Sequence, residues 1–333
     1  MAGSARIVYT LPMTHQEDTE VEGYDIIGDV HGYAGKLEEL LRRLGYAEQR
    51  GAWRHPARRA LFVGDLIDRG PEQLRTVGIV RRMVEAGSAL AVMGNHEFNA
   101  LAFWLPDPHL PGESLRPRTG PKGAKNRRQH EAFLAAVEHD PGLYAEIMGW
   151  FLTLPLWLEL PALRVVHACW HPAHMERIRS RLLPGHRLDA ALIEAASRKG
   201  RDEYDSVETI AKGVEAALPP GAEFHDKDGH HRRDTRLRWW DPAATTFGSA
   251  AILPAGALLA PHAHAHPVPP DLLPGYPDDK PVFFGHYWMT GTPTVLSERA
   301  ACVDYSAGLG GPLVAYRFDR EPRLSDQRFV MVM

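Results

Sequence analysis

Residues 60–71 read ALFVGDLIDRGP and join a short apolar run to a polar motif that ends at a proline. An apolar run of this length, bounded by a glycine, is typical of a buried strand. The two carboxylates and the guanidinium that follow lie in a predicted turn, and Pro71 suits the first turn of a helix. The stretch therefore predicts a strand, a turn rich in charged groups and a helix, in that order.

The same arrangement recurs along the chain. Four further apolar runs, at residues 24–28, 89–93, 163–166 and 281–285, each lead into a polar motif. These motifs are GDVHG (28–32), GNHE (94–97), HA (167–168) and GH (285–286). Helical spacing is found for Leu37, Leu40, Leu41 and Leu44, and again for Leu74, Val77, Val80 and Val84. Alternating strands and helices predict a layered α/β fold, in which ligand sites lie beyond the carboxyl ends of the strands.

The second half of the chain differs in character. Residues 299–304 and 313–318 are strand candidates separated by the turn signal AGLGGP, and we predict that they form a hairpin. Residues 176–279 contain helical patches at 190–198 and 207–217 and then segments rich in Pro, His and Gly. We interpret this region as an insertion that caps the site. We predict a single domain over residues 1–333, with a core at about 22–175 and 280–320.

Composition limits the class of protein. The chain has 333 residues, of which 44% are hydrophobic and 24% charged, as expected for a folded globular protein. A net charge of −4 gives no reason to expect nucleic acid or an anionic membrane as partner. Two cysteines are too few for a disulfide framework, residues 1–20 do not read as a signal peptide, and no apolar run could span a bilayer. We therefore expect a cytoplasmic location.

The polar motifs supply the side chains that hold a pair of divalent cations. Alternation at a strand end would place Asp29 and His31 on the same side, where they could share one metal. Asp65 is the natural bridge, because a carboxylate has the charge and lone pairs to lie between two cations. The second metal would take Asn95, His167 and His286. These oxygen and nitrogen ligands predict two divalent ions, with Mn²⁺ as the first choice and Fe or Zn²⁺ as alternatives.

On these five motifs the chain resembles the calcineurin-like metallophosphoesterases. Within them it is similar to the phosphoprotein phosphatase branch and its bacterial bis(5'-nucleosyl)-tetraphosphatase-like relatives. The resemblance covers about residues 24–171 and 281–318 and implies an αββα fold with a central β-sandwich flanked by helices. It also implies one metal on Asp29, His31 and Asp65, a second on Asp65, Asn95, His167 and His286, and phosphate contacts from Arg69 and His96.

The predicted reaction is hydrolysis of a phosphoester, in which a metal-bridging hydroxide attacks phosphorus in line. Arg69 would stabilise charge on the phosphoryl oxygens, since its planar fork can grip two of them. His96, oriented by Asp68, would protonate the leaving oxygen. We predict a phosphomonoester or phosphoprotein substrate. The alternatives are a dinucleoside polyphosphate hydrolase and, in a different class, an inactive metal-binding interaction module.

Some weaker signals leave alternatives open. Arg236 or Arg238 could be a second phosphate-binding arginine, and we assign Arg238 to the substrate. The basic run at residues 116–128 could steer a polyanion or could be an exposed loop. We assign no catalytic role to Cys169. Solvated loops are favoured over a further metal site for His225, His230, His231, His262, His264 and His266.

Two positions depart from the resembling enzymes. Residues 168–169 are Ala-Cys where the phosphatases commonly have two glycines, which puts the geometry of that loop in doubt. Residues 287–288 are Tyr-Trp where the tetraphosphatase-like enzymes usually have Thr-Pro, and this removes a cue for nucleotide specificity. The motifs therefore predict the chemistry more firmly than the substrate.

Overall fold

The computed structural model describes residues 21–225, 231–253, 257–276 and 280–333. The elements up to the fourth polar motif are β1 (Gly23–Ile27), α1 (Ala34–Arg43), β2 (Ala47–Gln49), β3 (Ala52–Arg54), β4 (Arg58–Phe62), α2 (Gln73–Glu85), β5 (Ala89–Ala91), α3 (Asn95–Trp104), α4 (Gly120–Gln129), α5 (Glu131–Val137), α6 (Pro141–Phe151), β6 (Trp157–Glu159) and β7 (Arg164–Val166). Each of the strands β1, β4, β5 and β7 ends shortly before a polar motif, as predicted.

The rest of the chain adds shorter elements. They are α7 (Pro172–Arg179), α8 (Ala190–Ala196), α9 (Asp202–Lys212), β8 (Glu215–Ala217), β9 (Phe224–His225), β10 (His231–Arg232), β11 (Asp234–Leu237), α10 (Phe247–Ala250), β12 (Ala251–Ile252), α11 (Pro261–His264), β13 (Val282–Phe284), β14 (Ala300–Cys302), β15 (Leu313–Phe318) and β16 (Phe329–Val332). Single 3₁₀ turns lie at Pro270–Leu272, Ala307–Leu309 and Asp326–Arg328.

Two sheets form the centre of the fold. One has the strand order β16-β15-β1-β4-β5, and the other has the order β14-β13-β7-β6. In the first sheet β1, β4 and β5 are parallel, and β15 pairs antiparallel with β1. In the second sheet β13 is parallel to both β7 and β14. The parallel strands bring their carboxyl ends to one edge of each sheet, which is where the polar motifs begin.

The two sheets pack face to face, and helices cover their outer sides. A buried cluster joins inward side chains of both sheets, including Ile26 and Leu61 from one and Val165 and Phe283 from the other. The neighbouring Ile27 belongs to a second cluster shared with helices α1 and α2, because successive side chains of a strand point to opposite faces. This is the predicted layered α/β fold with a central β-sandwich.

The structure corrects two details of the sequence prediction. Strands β14 and β15 do not form a hairpin: β14 pairs with β13, while β15 pairs with β1 in the other sheet. The glycine-rich turn therefore carries the chain from one sheet to the other. In α2, Val77 and Val80 are buried as expected, but Leu74 is 38% exposed and Met83 takes its place on the packed face.

The inserted region packs against the second sheet. The backbone N–H groups of residues 168 and 169 donate to the carbonyl of Ile210 in α9 at 3.2 and 3.1 Å. Trp239, fully buried, donates from its indole nitrogen to the carbonyl of Ala168 at 3.0 Å and packs on Phe284. The loop that follows β7 is therefore held by residues from the insertion. Its role as a cap stays a prediction.

Over the part of the chain that the structure describes, we find no helix with both the length and the apolar character that crossing a bilayer requires.

A buried ion pair ties β1, β4 and β15 together, at the amino ends of β1 and β4 and the carboxyl end of β15. Arg58 donates from Nε to both carboxylate oxygens of Asp25, at 3.0 and 3.2 Å, and from Nη2 to the carbonyls of Tyr24 and Phe318 at 2.8 and 3.0 Å. It also pairs with Asp319. Asp25 has no exposed surface. Its burial raises the pKa of its carboxyl group, while the positive charge of Arg58 lowers it. The arginine thus compensates a carboxylate that has no access to water.

We expect Arg58→Met to lower the free energy of unfolding by about 3 kcal/mol, because the buried Asp25 carboxylate would lose its closest cation and keep only Arg317, whose Nε lies 3.5 Å away. Urea denaturation would measure this loss. The double change Asp25→Asn with Arg58→Met should cost less than the single one, since no charge is then stranded. Arg179→Met, which removes an exposed pair with Glu176, is the matched control and should cost under about 1 kcal/mol. An equal cost for the two single variants would contradict the expectation.

Candidate metal centre

The candidate site residues are held by strained backbone. Past the ends of β1, β4 and β13 the chain turns sharply, and His31, Asp65, Asp68, Arg69 and His286 all have positive φ, between 47° and 73°. Non-glycine residues rarely adopt this left-handed conformation, and each costs roughly 1–3 kcal/mol. Such strain persists where surrounding contacts impose it, and it clusters at functional sites. The turns place these side chains together above the strand ends.

Asp65 lies at the centre of the cluster and is almost fully buried. Its Oδ1 accepts a hydrogen bond from the backbone N–H of His96 at 2.9 Å and lies 3.4 Å from His167 Nε2. Its Oδ2 lies 3.8 Å from His31 Nε2 and 3.7 Å from His96 Nε2. Burial opposes ionisation, but the charges of the histidines hold the pKa of Asp65 well below its usual value. One carboxylate thus faces histidines on two sides.

Asn95, His167 and His286 meet on one side of Asp65. His167 Nε2 and His286 Nδ1 lie 3.1 and 2.8 Å from the side-chain oxygen of Asn95. The other ring nitrogen of His167 contacts the carbonyl of Val63 at 2.7 Å, which fixes the ring. Ligand atoms of Asp65, His167 and His286 lie within 4.8 Å of one another. These are four of the residues that the sequence assigned to a second metal.

His31 faces the other side of Asp65, together with His96. The ligand atoms of these three residues also lie within 4.8 Å of one another. His31 Nδ1 contacts the carbonyl of Ile67 at 2.9 Å, so that Nε2 points toward Asp65. Asp29 lies deeper and accepts from the backbone N–H of His286 at 3.1 Å. The expected strand alternation of Asp29 and His31 was wrong, since β1 ends at Ile27 and His31 has φ 47°.

Glu97 supports the site and was given no role in the sequence analysis. Its carboxylate accepts from the backbone N–H groups of Asp65 and Gly94, both at 2.9 Å, and of Leu66 at 2.8 Å. It is the third residue of α3, where its carboxylate caps the backbone N–H of Gly94, and a glutamate three residues after the N-cap position was a signal readable in the sequence. Glu97 therefore connects the turn after β4 to the start of α3.

Two positions must be glycine because atoms of candidate ligand residues lie where a Cβ atom would be. A Cβ atom on Gly285 would lie 2.0 Å from Asp29 Oδ1, and one on Gly94 would lie 2.3 Å from both the backbone nitrogen and Oδ1 of Asp65. No larger residue fits at either position without moving a candidate ligand.

The residues present fit two cations. The Nε2 atoms of His31 and His286 are buried without a hydrogen-bond partner, although such atoms normally have one. Burial lowers the pKa of His31 to about 4 and that of His286 well below its usual value, so both rings are neutral and can offer lone pairs. Burial raises the pKa of Asp29, and the negative charges of Asp304 and Asp65 raise it further. A divalent cation would neutralise the crowded carboxyl groups and would coordinate the imidazole nitrogens that have no hydrogen-bond partner.

A carboxylate beyond the cluster contacts two histidines. His96 Nδ1 lies 2.5 Å from Asp68 Oδ2, which brings the predicted acid pair into direct contact. His130 Nδ1 lies 2.8 Å from the same oxygen. His130 has no exposed surface and lies between α4 and α5, in no recognised motif. Asp68, His96 and His130 form the third group of close ligand atoms among the described residues.

Arg69 lies over the ring of Trp288, with its guanidinium carbon 4.5 Å from the ring centroid. The same ring lies 5.6 Å from that of His31. The backbone N–H of Trp288 donates to Asp304, whose carboxylate also accepts from the N–H of Ser306. Trp288, singled out above as a departure from the tetraphosphatase-like pattern, thus borders the predicted phosphate contact.

Arg236 and Arg238 are the two candidates for a second phosphate-binding arginine. Burial lowers the pKa of His286, and the positive charge of Arg236 lowers it further. Arg238 is exposed, and its backbone N–H donates to the carbonyl of Ala250. The assignment of Arg238 to the substrate stays a prediction.

The remaining sequence signals lie away from this cluster. Residues 120–129 of the basic run form α4, where Arg127 pairs with Glu138. Cys169 is buried, and burial raises its pKa. His231 is exposed and pairs with Glu223, and His262, His264 and His266 are exposed. His230 lies outside the described residues. None of the close ligand groups found among the described residues includes these histidines.

The chain has relatives of known class. Residues 24–189 match the model of the family described as calcineurin-like phosphoesterase. A relative from Halalkalibacterium halodurans, named bis(5'-nucleosyl)-tetraphosphatase PrpE (asymmetrical), is 51% identical over 74 residues, which are 22% of this chain and 30% of that protein. One of the same name from a Geobacillus species is 48% identical over 82 residues, or 24% and 34% of the two chains.

Among solved structures, a cold-active protein-tyrosine phosphatase from a psychrophilic Shewanella is 16% identical and has a TM-score of 0.48, with 94% of this chain and 81% of that one covered. The chain spans about a third of the length of the curated relatives it matches. The family match covers four of the five polar motifs and the strands that present them. This match confirms the resemblance to the calcineurin-like phosphoesterases that was drawn from the motifs.

Proposed function

We propose that this protein is a dinuclear metal-dependent phosphoester hydrolase. The observation that carries the proposal is the position of Asp65 between two groups of buried histidines, two of which have Nε2 atoms without a partner. When bound, two divalent cations would supply Lewis acidity toward phosphoryl oxygens and would activate a water molecule. The ligands would be Asp29, His31 and Asp65 for one ion, and Asp65, Asn95, His167 and His286 for the other.

The chain's own side chains would complete the reaction. Arg69 offers a planar guanidinium that can donate two parallel hydrogen bonds to phosphoryl oxygens, and Trp288 holds it beside the ligands. His96 presents Nε2 toward the cluster while Nδ1 contacts Asp68, so a proton on Nε2 can pass to the leaving oxygen. The charges of Asp65 and Asp68 raise the pKa of His96 against its burial, which favours the proton-bearing form.

For the substrate, we propose a nucleoside polyphosphate as the first class to test. The named activity of the relatives supports this choice. A phosphomonoester or phosphoprotein, the class that the sequence favoured, is the competing choice. It needs only the metal ligands and Arg69.

The test is a substrate panel with purified protein and Mn²⁺. It would include a diadenosine polyphosphate, a phosphopeptide and a chromogenic phosphomonoester, with products identified and the metal content measured. Turnover of the diadenosine compound with kcat/KM at least about tenfold above the others supports the nucleotide proposal. A phosphopeptide that turns over best contradicts it.

Metal removal separates the enzyme from an inactive metal-binding module. Treatment with EDTA should abolish turnover of every substrate, and added Mn²⁺ should restore it, because the chelator competes with the ligand residues for the ions. Protein that binds two equivalents of metal by calorimetry but turns over no substrate with Mn²⁺, Fe²⁺ or Zn²⁺ would overturn the enzyme proposal.

A further inference from the structure

His130 lies outside every motif that identifies the family, yet it contacts the predicted acid pair. Its Nδ1 is 2.8 Å from Asp68 Oδ2, the oxygen that His96 Nδ1 approaches to 2.5 Å. The ring centroids of His96 and His130 are 6.4 Å apart at an interplanar angle of 85°. One carboxylate oxygen therefore lies between two imidazoles, one from α3 and one from the junction of α4 and α5.

The hydrogen bonds fix the protonation of the three groups. Hydrogen bonds from His130 and His96 hold the pKa of Asp68 below its usual value against its burial, so that the carboxylate is ionised and can only accept. Each imidazole must therefore donate from Nδ1. Because His96 donates from Nδ1 to Asp68, its other ring nitrogen, Nε2, faces Asp65 and the candidate metal ligands. The contact with His130 strengthens the preference of Asp68 for its ionised form.

The surroundings hold His130 in place. Its ring packs against Phe103 of α3 at 6.0 Å between centroids. Its backbone N–H donates to the carbonyl of Arg127, and its own carbonyl accepts from Leu134, so the residue links α4 to α5. Burial lowers the pKa of the ring, which is therefore neutral and donates a single proton from Nδ1. A residue this constrained can fix the orientation of the carboxylate it contacts.

These distances argue against a third metal here. Ligand nitrogen and oxygen atoms lie about 2.0–2.2 Å from Zn²⁺, which separates neighbouring ligands of a tetrahedral site by about 3.3 Å. The separations at Asp68 Oδ2 are 2.5 and 2.8 Å, which are hydrogen-bond distances.

We propose that His130 is a positioning residue that acts through Asp68 on His96, orienting the carboxylate so that His96 presents its proton to the leaving group. This inference rests on the proposed function. Without His130, Asp68 Oδ2 would keep one hydrogen bond instead of two, and the carboxylate could rotate away from His96.

The test compares His130→Leu with His130→Asn. Leucine removes the donor, whereas the asparagine amide can place an N–H near the position of Nδ1. With Mn²⁺-loaded protein, we expect His130→Leu to lower kcat about tenfold or more on a phosphomonoester with a poor leaving group. On one with a good leaving group the loss should stay under about threefold. His130→Asn should recover most of the lost activity.

A double-variant cycle distinguishes positioning from general damage. If His130 acts through Asp68 and His96, then adding His130→Leu to His96→Ala should change kcat by less than about twofold. Phe133→Leu, a buried change in α5 without contact to Asp68, is the matched control and should affect good and poor leaving groups equally. Additive losses in the cycle, or equal losses for both leaving groups in His130→Leu, would overturn the proposal.

A measurement on the metal-free protein avoids dependence on activity. Protons held between an imidazole Nδ1 and a carboxylate give strongly downfield NMR signals, and we expect two such signals in the unchanged protein. Both should vanish in Asp68→Asn, and one should vanish in His130→Leu or, if that variant does not fold, in His130→Asn. A single signal, or two that survive Asp68→Asn, would overturn the proposal. Failure of the proposed function would appear separately, as absence of turnover in the unchanged protein.

Discussion

Asp65→Asn is expected to abolish phosphoester hydrolysis, with a fall in kcat/KM of about a thousandfold or more. The carboxylate stands between two groups of histidines, at 3.4 to 3.8 Å from their Nε2 atoms. An asparagine removes one negative charge and turns an N–H donor toward one of these groups. The loss should exceed the roughly 10- to 100-fold effect that is typical of residues that merely support a metal ligand. Kinetics with Mn²⁺ and calorimetric titration of Mn²⁺ would measure both consequences.

The control for Asp65→Asn is Asp140→Asn. Asp140 caps α6 through bonds to the N–H groups of Gly142 and Leu143, and asparagine is an equally good cap. This variant makes the same chemical change at an exposed position and should retain activity within about twofold. An Asp65→Asn protein that is folded by circular dichroism and keeps more than about a tenth of the activity would exclude Asp65 as the shared ligand.

His96→Ala is expected to slow hydrolysis by about 10²- to 10⁴-fold for poor leaving groups and by less than tenfold for good ones. The imidazole contacts Asp68 through Nδ1 and presents Nε2 toward Asp65. A general acid matters most when the departing oxygen cannot carry a negative charge. A plot of log kcat against the pKa of the leaving alcohol should therefore become steeper in the variant.

The comparison for His96→Ala is His109→Ala, which removes an exposed histidine paired with Glu194. That change should leave the slope of the plot unaltered. If His96→Ala lowers kcat by the same factor across the whole series of leaving groups, then the residue binds phosphate without donating a proton.

Local patterns predicted the strands and their polar ends, because an apolar run closed by glycine is a short-range signal. They did not predict strand partners. Residues 300–302 and 313–318 look like the two arms of a hairpin, yet they pair in different sheets. Partner choice depends on the packing of the whole sandwich, which a turn motif does not encode. His31 shows the same limit, since its left-handed backbone is imposed by contacts with Ile67 and Asp65.

The candidate site divides in a similar way. Asp65, Asn95, His167 and His286 could be named from the sequence because each comes shortly after a strand, and the structure brings them together. Glu97 carried a readable capping signal that went unused. His130 carried none, since it lies just past the basic run at residues 116–128 and only the fold brings it to Asp68. Their roles as ligands and acid stay predictions until metal and activity are measured.

The left-handed backbone at Arg69 makes stability and activity favour different residues there. Glycine adopts such φ values readily, so Arg69→Gly would relieve local strain while removing the side chain that the chemistry needs. Random libraries screened for thermal tolerance alone would therefore accumulate inactive chains at this position. An engineering campaign on this fold would need to select for turnover at every round, or seek its gains in the helices and outer strands instead.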